Sequence, residues 1–179
     1  MDIKKPRRLE RSVIYESDWV DLYADRVEFP GGRIIDKHHI LEFHNDFVAV
    51  VVENSQGEIL FVHAYRYTLD SLEWEVPTGR IEDGETPLKG AQREVIEESG
   101  YETTDHELIY TFNPINGISA KTFHIVTCRP GPRLGEFDRN EIEAVKWVSK
   151  NDIVRMIRNR LLKDGFTLTA LLLYLCDLD

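Results

Sequence analysis

The segment from Gly79 to Tyr101 restricts this chain more than any other. It reads Gly79-Arg80-Ile81-Glu82-Asp83-Gly84-Glu85, then seven residues, then Arg93-Glu94-Val95-Ile96-Glu97-Glu98-Ser99-Gly100-Tyr101. Glu94, Glu97 and Glu98 stand at i, i+3 and i+4, so a helix places them on one face within an arc of about 100°. Leu88, Ala91 and Val95 recur at i, i+3 and i+7, the apolar stripe of a helix laid against a sheet. Pro87 suits the first turn of that helix and Gly100 ends it. Carboxylates about 5 Å apart repel by roughly 3 kcal/mol per pair at an effective dielectric of about 20. A hard divalent cation turns that repulsion into attraction, because Mg²⁺ and Mn²⁺ choose oxygen ligands. The segment therefore asks for a sheet on one side and a metal ion on the other.

The rest of the chain supplies the sheet. Trp19–Phe29 and Arg33–Phe43 alternate apolar and polar residues around Pro30-Gly31-Gly32, a β-hairpin pattern. Phe47-Val48-Ala49-Val50-Val51-Val52 reads as a buried strand, Ser55-Gln56-Gly57 as a turn, and Ile59–Tyr67 as the returning strand. Leu72–Val76 is a short strand leading to Pro77, and Gly79–Thr86 is a loop before the helix at Pro87–Ser99. Further strands are expected at Glu107–Phe112, Thr122–Cys128 and Ile142–Val148. Helices follow at about Asn151–Lys163 and Thr167–Leu175, split at Asp164-Gly165. The pattern is one mixed α/β (α+β) domain over residues 46–179, with residues 1–45 as an N-terminal β-hairpin extension.

With 179 residues, 42% apolar and 30% charged, the composition is that of one globular domain. A net charge of −10 argues against a nucleic-acid backbone as partner, since that affinity comes from Lys and Arg clusters. It leaves room for a small diphosphate whose charge a metal neutralises. Cys128 and Cys176 stand far apart and are expected to be buried and reduced, as in cytoplasm. The basic start, Met1 to Arg8, has no apolar stretch behind it to make a signal peptide, and the apolar run Leu168–Cys176 is too short to span a bilayer. The six histidines do not fall at zinc-ligand spacings. No P-loop and no Gly-x-Ser-x-Gly elbow is present.

Gly, five residues, Glu, seven residues, Arg-Glu, an apolar residue, any residue, Glu-Glu, any residue, Gly and a bulky apolar residue: that order resembles the Nudix box. It is met at Gly79, Glu85, Arg93, Glu94, Val95, Glu97, Glu98 and Gly100, with Tyr101 where an aliphatic residue is more usual. The box covers 23 of 179 residues. Ala64-Tyr65-Arg66-Tyr67, Glu75-Val76-Pro77-Thr78-Gly79 and a Pro114-to-Gly117 turn make the chain similar to the ADP-ribose and nucleotide-sugar pyrophosphatase branch of Nudix hydrolases. The resemblance implies the Nudix fold, a mixed β-sheet sandwiched between helices, and a Mg²⁺- or Mn²⁺-dependent cleavage of a nucleoside diphosphate-sugar or ADP-ribose. It also implies a homodimer in which the N-terminal part completes the partner's pocket.

Carried over residue by residue, the resemblance makes Glu94 and Glu98 the main metal ligands, with Glu97 bridging or acting on water. The backbone carbonyl of Thr78 joins them. Glu85 and Arg93 are implied to form a scaffold salt bridge. Gly79 and Gly84 are expected to permit backbone angles that a Cβ would block. Arg66 can fork onto a phosphate or pair with Glu73 or Glu75 on the adjoining strand. Trp19 and Tyr23 can stack a base, with core packing as the alternative.

One departure matters. Many ADP-ribose pyrophosphatases carry a glutamate, proposed as general base, in the loop after the Pro-to-Gly turn. Here Asn113–Lys121 holds no carboxylate. The base must come from Glu97 or from Glu136, Asp138 or Glu141. Among the last three, Glu141 is preferred because it leads directly into a strand that can hold it. Hydrolysis of another nucleoside polyphosphate and a non-catalytic nucleotide-sensing domain are the competing readings; the intact glutamate set disfavours the latter.

Overall fold

The computed structural model describes residues 4–176. Its elements are β1 (Arg7–Tyr15), β2 (Val20–Glu28), β3 (Ile34–Phe43), β4 (Phe47–Val52), β5 (Glu58–Arg66), β6 (Ser71–Glu75) and β7 (Thr78–Arg80). These are followed by α1 (Pro87–Ser99), β8 (Tyr101–Phe112), β9 (Phe123–Arg133), β10 (Ile142–Ser149), α2 (Lys150–Arg158) and α3 (Gly165–Leu175). The chain divides into two compact units. One holds the residues through Asp46 together with Asn113–Thr122; the other holds Phe47–Phe112 and the chain from Phe123 onward.

The first unit is an antiparallel meander in the order β1-β2-β3. The hairpin around Pro30-Gly31-Gly32 is as read from the sequence, with Gly32 at φ 81°. The strand β1 was not expected: its side chains are nearly all exposed, so it lacks the one-sided alternation by which a half-buried strand is recognised. Arg11 fixes it instead, forking onto the buried Asp25 of β2 at 2.7 and 2.9 Å. The Asn113–Thr122 segment joins this unit through Leu41 N–H, which donates to the Ile118 carbonyl at 2.8 Å.

The second unit contains a four-stranded mixed sheet, β7-β4-β9-β8, and a three-stranded antiparallel sheet, β10-β5-β6. Among the described residues, only the β4–β9 pairing is parallel. The apolar run of β4 has the composition of a strand covered on both faces. Val48, Val50 and Val52 pack with Ala91 and Val95 of α1, while Ala49 and Val51 pack with Ile153 of α2 and with Ala170 and Leu171 of α3. The expected sandwich of sheet between helices is thus present, with its strands divided between two sheets.

Both β8 and β9 run further than expected. Asp105, at φ 54°, marks a register shift between Thr104 and Glu107, and the ladder continues beyond it to Tyr101. On β9 the pairing with β4 ends at Cys128, so Pro130 and Pro132 fall where the strand has a neighbour on one side only. A proline without N–H is tolerated there. The helix expected over Asn151–Lys163 stops at Arg158, and Asp164 caps α3 by accepting from Thr167 N–H at 2.6 Å. Leu88 is exposed and not part of the α1 stripe, which consists of Ala91 and Val95. Cys128 is buried with its thiol pushed up to about 12 by desolvation, whereas Cys176 is exposed, contrary to expectation.

Candidate functional site

The loop and helix of the Gly79–Tyr101 segment are locked together by Arg93. Its Nε and Nη2 reach the two Glu85 carboxylate oxygens, each at 3.0 Å. Nη2 also donates to the Arg80 carbonyl at 2.6 Å, and Nη1 donates to Glu94 at 2.8 Å and Glu97 at 3.0 Å. Such forked, charge-assisted bonds fix both partners in orientation. The Arg93 guanidinium holds Glu85 below the usual carboxylate range. Thr86 caps α1 by accepting from Lys89 N–H, and Gly100 closes it in the left-handed conformation at φ 76°.

Gly79 differs from expectation in the reason for its glycine. Its backbone angle is not the constraint. A Cβ at this position would lie 2.0 Å from the Glu94 carboxylate carbon, so it is the close approach of a side chain to the backbone that needs glycine. Gly84, at φ 83°, does serve its angle.

Among the three helical glutamates, Glu94 and Glu98 are inward, at 8% and 6% exposure, while Glu97 is half exposed. Burial raises the Glu94 carboxyl, against the lowering pull of Arg93. Burial raises Glu98 much further, partly offset by Thr78 N–H, which donates to its carboxylate at 3.0 Å. A carboxylate so enclosed is costly as an anion unless a positive charge joins it. Among the described residues, no three His, Cys, Asp or Glu side chains are drawn together as a finished coordination shell. The positive charge beside Glu94 and Glu97 is supplied by Arg93. The donor set nevertheless fits a hard cation: two buried carboxylates, all oxygen, with neither thiolate nor imidazole among them.

Glu98 opens onto a cleft of about 420 Å³ whose lining includes Tyr65, Arg66, Tyr67, Asn140 and Glu141. The structure thus brings together Glu98, Arg66 and Glu141 from the helix, β5 and the loop before β10. Glu141 is also near enough to Glu94 to raise its carboxyl. Arg66 takes the pairing with Glu75 and not with Glu73. Its Nε lies 2.9 and 3.1 Å from the Glu75 oxygens, and its Nη2 bonds Glu75 Oε2 as well. Glu73 bonds Lys163 at 2.7 Å. Trp19 belongs to the N-terminal unit and is 65% exposed, so core packing does not hold it. Tyr23, its companion in the sequence reading, lies under the Arg11 guanidinium. A larger depression of about 620 Å³, lined by Glu53, Asn54 and Arg129, contains none of these residues.

The model of the NUDIX domain matches residues 43–168. The chain belongs to the NUDIX family. An ADP-ribose pyrophosphatase from Bacillus subtilis (strain 168) is 29% identical over 168 residues, covering 92% of this chain and 90% of that protein. A methanol dehydrogenase activator from Bacillus methanolicus is 26% identical over 167 residues, covering 92% and 89%. A solved structure described as an ADP compounds hydrolase superposes with a TM-score of 0.81 at 18% identity, covering 97% of this chain and 94% of that one, which shows the fold.

The organisation of the loop before β10 in this Nudix chain was not visible in its sequence. Asp138 N–H donates to the Glu97 carbonyl at 2.9 Å, and Leu134 N–H donates to the Gly100 carbonyl at 2.8 Å. The loop is therefore moored to the end of α1. The Asp138 carboxylate accepts from Asn140 N–H and Nδ2, both at 2.8 Å, and its backbone carbonyl receives Ile142 N–H at 2.9 Å. Asp138 is a turn former, and Glu136 pairs with Arg139 in the open. Of the loop's three carboxylates, Glu141 is the one that lines the cleft. The Asp-x-Asn spacing at Asp138 and Asn140 was the one available signal for this turn.

Proposed function

We propose that the protein hydrolyses the pyrophosphate bond of a nucleoside diphosphate-sugar or of ADP-ribose, giving a nucleoside monophosphate and a sugar phosphate. It is an enzyme, a Nudix pyrophosphohydrolase. The observation that carries this reading is the cleft in which buried Glu98 meets Arg66 and Glu141. The Bacillus subtilis relative named ADP-ribose pyrophosphatase supports the substrate class.

Glu94 and Glu98 would hold Mg²⁺ or Mn²⁺, with Glu97 and the Thr78 carbonyl completing the protein's share. A bound divalent ion supplies charge neutralisation at the diphosphate and makes water more acidic. Arg66 binds a phosphate oxygen. Glu141 takes the proton of the attacking water, a role that needs a carboxylate fixed at the cleft and within reach of the reacting atoms. Glu97 is the other group available for that proton. Arg93 and Glu85 orient the ligands and take no proton.

Trp19 stacks the base of the substrate. Residues 1–45 form an addition that pairs two copies of the chain, while 46–179 carry the chemistry; the exposed Val13, Ile14 and Tyr15 of β1 support that pairing. Both cysteines are free, in keeping with a cytoplasmic protein, and among the described residues no helix is long and apolar enough to cross a membrane.

The test is a panel of nucleotide sugars, ADP-ribose and nucleoside triphosphates, incubated with Mg²⁺ or Mn²⁺ and resolved by mass. Cleavage in ¹⁸O water locates the attacked phosphorus. Turnover that survives a chelator, or that is confined to nucleoside triphosphates, overturns the reading.

A further inference from the structure

Arg66 and Glu75 carry an inference that rests on the phosphate-binding role given to Arg66 and deepens it. Val62, Ala64 and Arg66 alternate along one face of β5, and Glu75 of β6 stands opposite Val62. The Arg66 side chain therefore runs back along the sheet to meet a carboxylate that is only 2% exposed. A carboxylate that deep is strongly unfavourable unless a charged partner bonds it. The Arg66 fork meets that need with Nε and Nη2, one edge of the guanidinium.

A guanidinium has five donors and a second edge. Among the described residues, Nη1 of Arg66 makes no hydrogen bond. The side chain is 40% exposed and lines the cleft that also receives Glu98 and Glu141. One edge is thus fixed inside the protein while the other remains open beside the acidic site.

We propose that Glu75 is a positioning residue for Arg66, holding the guanidinium by its inner edge so that its outer edge takes a diphosphate oxygen in the cleft. Two consequences follow from the geometry. Lysine cannot replace Arg66, because a single nitrogen cannot serve the buried carboxylate and the substrate in the same fixed arrangement. Loss of Glu75 harms binding only through Arg66, so the two residues act as one unit.

The experiment measures ADP-ribose binding to the full chain by calorimetry with EDTA present, alongside melting curves and, with Mg²⁺, steady-state kinetics. Arg66→Lys and Arg66→Ala are both expected to weaken binding by about 10-fold or more, the loss expected for a charge-assisted bond. Glu75→Gln is expected to raise KM by about 10-fold with kcat changed far less, the pattern of lost ground-state binding. The Arg66→Ala/Glu75→Gln double variant is expected to bind no more weakly than Arg66→Ala. Parent-like affinity in Arg66→Lys, parent-like affinity in a folded Glu75→Gln, or additive losses in the double variant each overturn the proposal. Should Glu75→Gln fail to fold, Arg66→Lys against the parent decides alone. Parent turnover on the substrate panel tests the functional reading separately, so a parent that cleaves ADP-ribose while Glu75→Gln binds it unchanged sinks only the role of Glu75.

Discussion

Two arginines in this molecule are forked by glutamates, and they end in different situations. Arg93 is enclosed by protein acceptors: Glu85, Glu94, Glu97 and the Arg80 carbonyl. Arg66 meets Glu75 alone and keeps an edge toward the cleft. The same chemical pair therefore makes a brace in one place and, in the proposed reading, a docking point in the other. What separates them is how many of the guanidinium's donors the fold has already engaged. That count of engaged donors is what the proposed roles of the two arginines rest on, and sequence spacing does not reveal it.

Substitutions that separate brace from site test this contrast. The largest effect is expected from changing a glutamate proposed to hold the metal. Glu98→Gln, and likewise Glu97→Gln, should lower turnover by on the order of 10²-fold or more while the fold survives. Parent-like rates in both would place the metal elsewhere. Arg93→Met should act mainly on stability. It leaves the inward Glu94 and Glu85 carboxylates without their partner, a loss of about 2–4 kcal/mol by analogy with broken buried pairs; urea unfolding would measure it. An unchanged unfolding midpoint would mean that Arg93 is no brace.

Gly79→Ala should fall between these. The added Cβ meets the movable end of Glu94 and not backbone, so Glu94 can swing aside. Turnover is expected to drop about 10-fold through the displaced ligand, with the melting temperature nearly kept. A large loss of stability with normal residual turnover would contradict that account. Glu141→Gln is expected to lower turnover by about 10-fold or more at unchanged ADP-ribose affinity, as for removal of a proton acceptor. Full activity in that variant would return the role to Glu97.

The legible part of the fold was the part written in local periodicity. The continuous apolar run of β4, the cap residues around α1 and the box spacing all express their structure within a few residues. What escaped notice depended on partners far away in the chain. The strand β1 is held by Arg11 on Asp25, an ion pair across a hairpin, and not by an apolar face. The prolines of β9 are harmless only because β4 ends earlier. In the site, the glutamates of α1 could be named at once. The register of β5 against β6 puts both Glu73, opposite Ala64, and Glu75, opposite Val62, on the face Arg66 shares. Glu73 is taken by Lys163, distant in the chain, and by Ser71, and Arg66 bonds Glu75. The turn at Asp138 gave a faint signal, but the docking of its loop on α1 gave none, since backbone carbonyls carry no side-chain signature.

That docking has a consequence for how the molecule tolerates motion. Gly100 approaches the Gly135 carbonyl so closely that a Cβ would come within 2.3 Å of it, and the adjoining amide bonds tie the two backbones together. The helix bearing Glu94 and Glu98 and the loop bearing Glu141 are thereby mounted on one bracket. Any rocking of the helix against the sheet is thereby expected to carry the loop along, keeping Glu141 at a steady distance from Glu94 and Glu98.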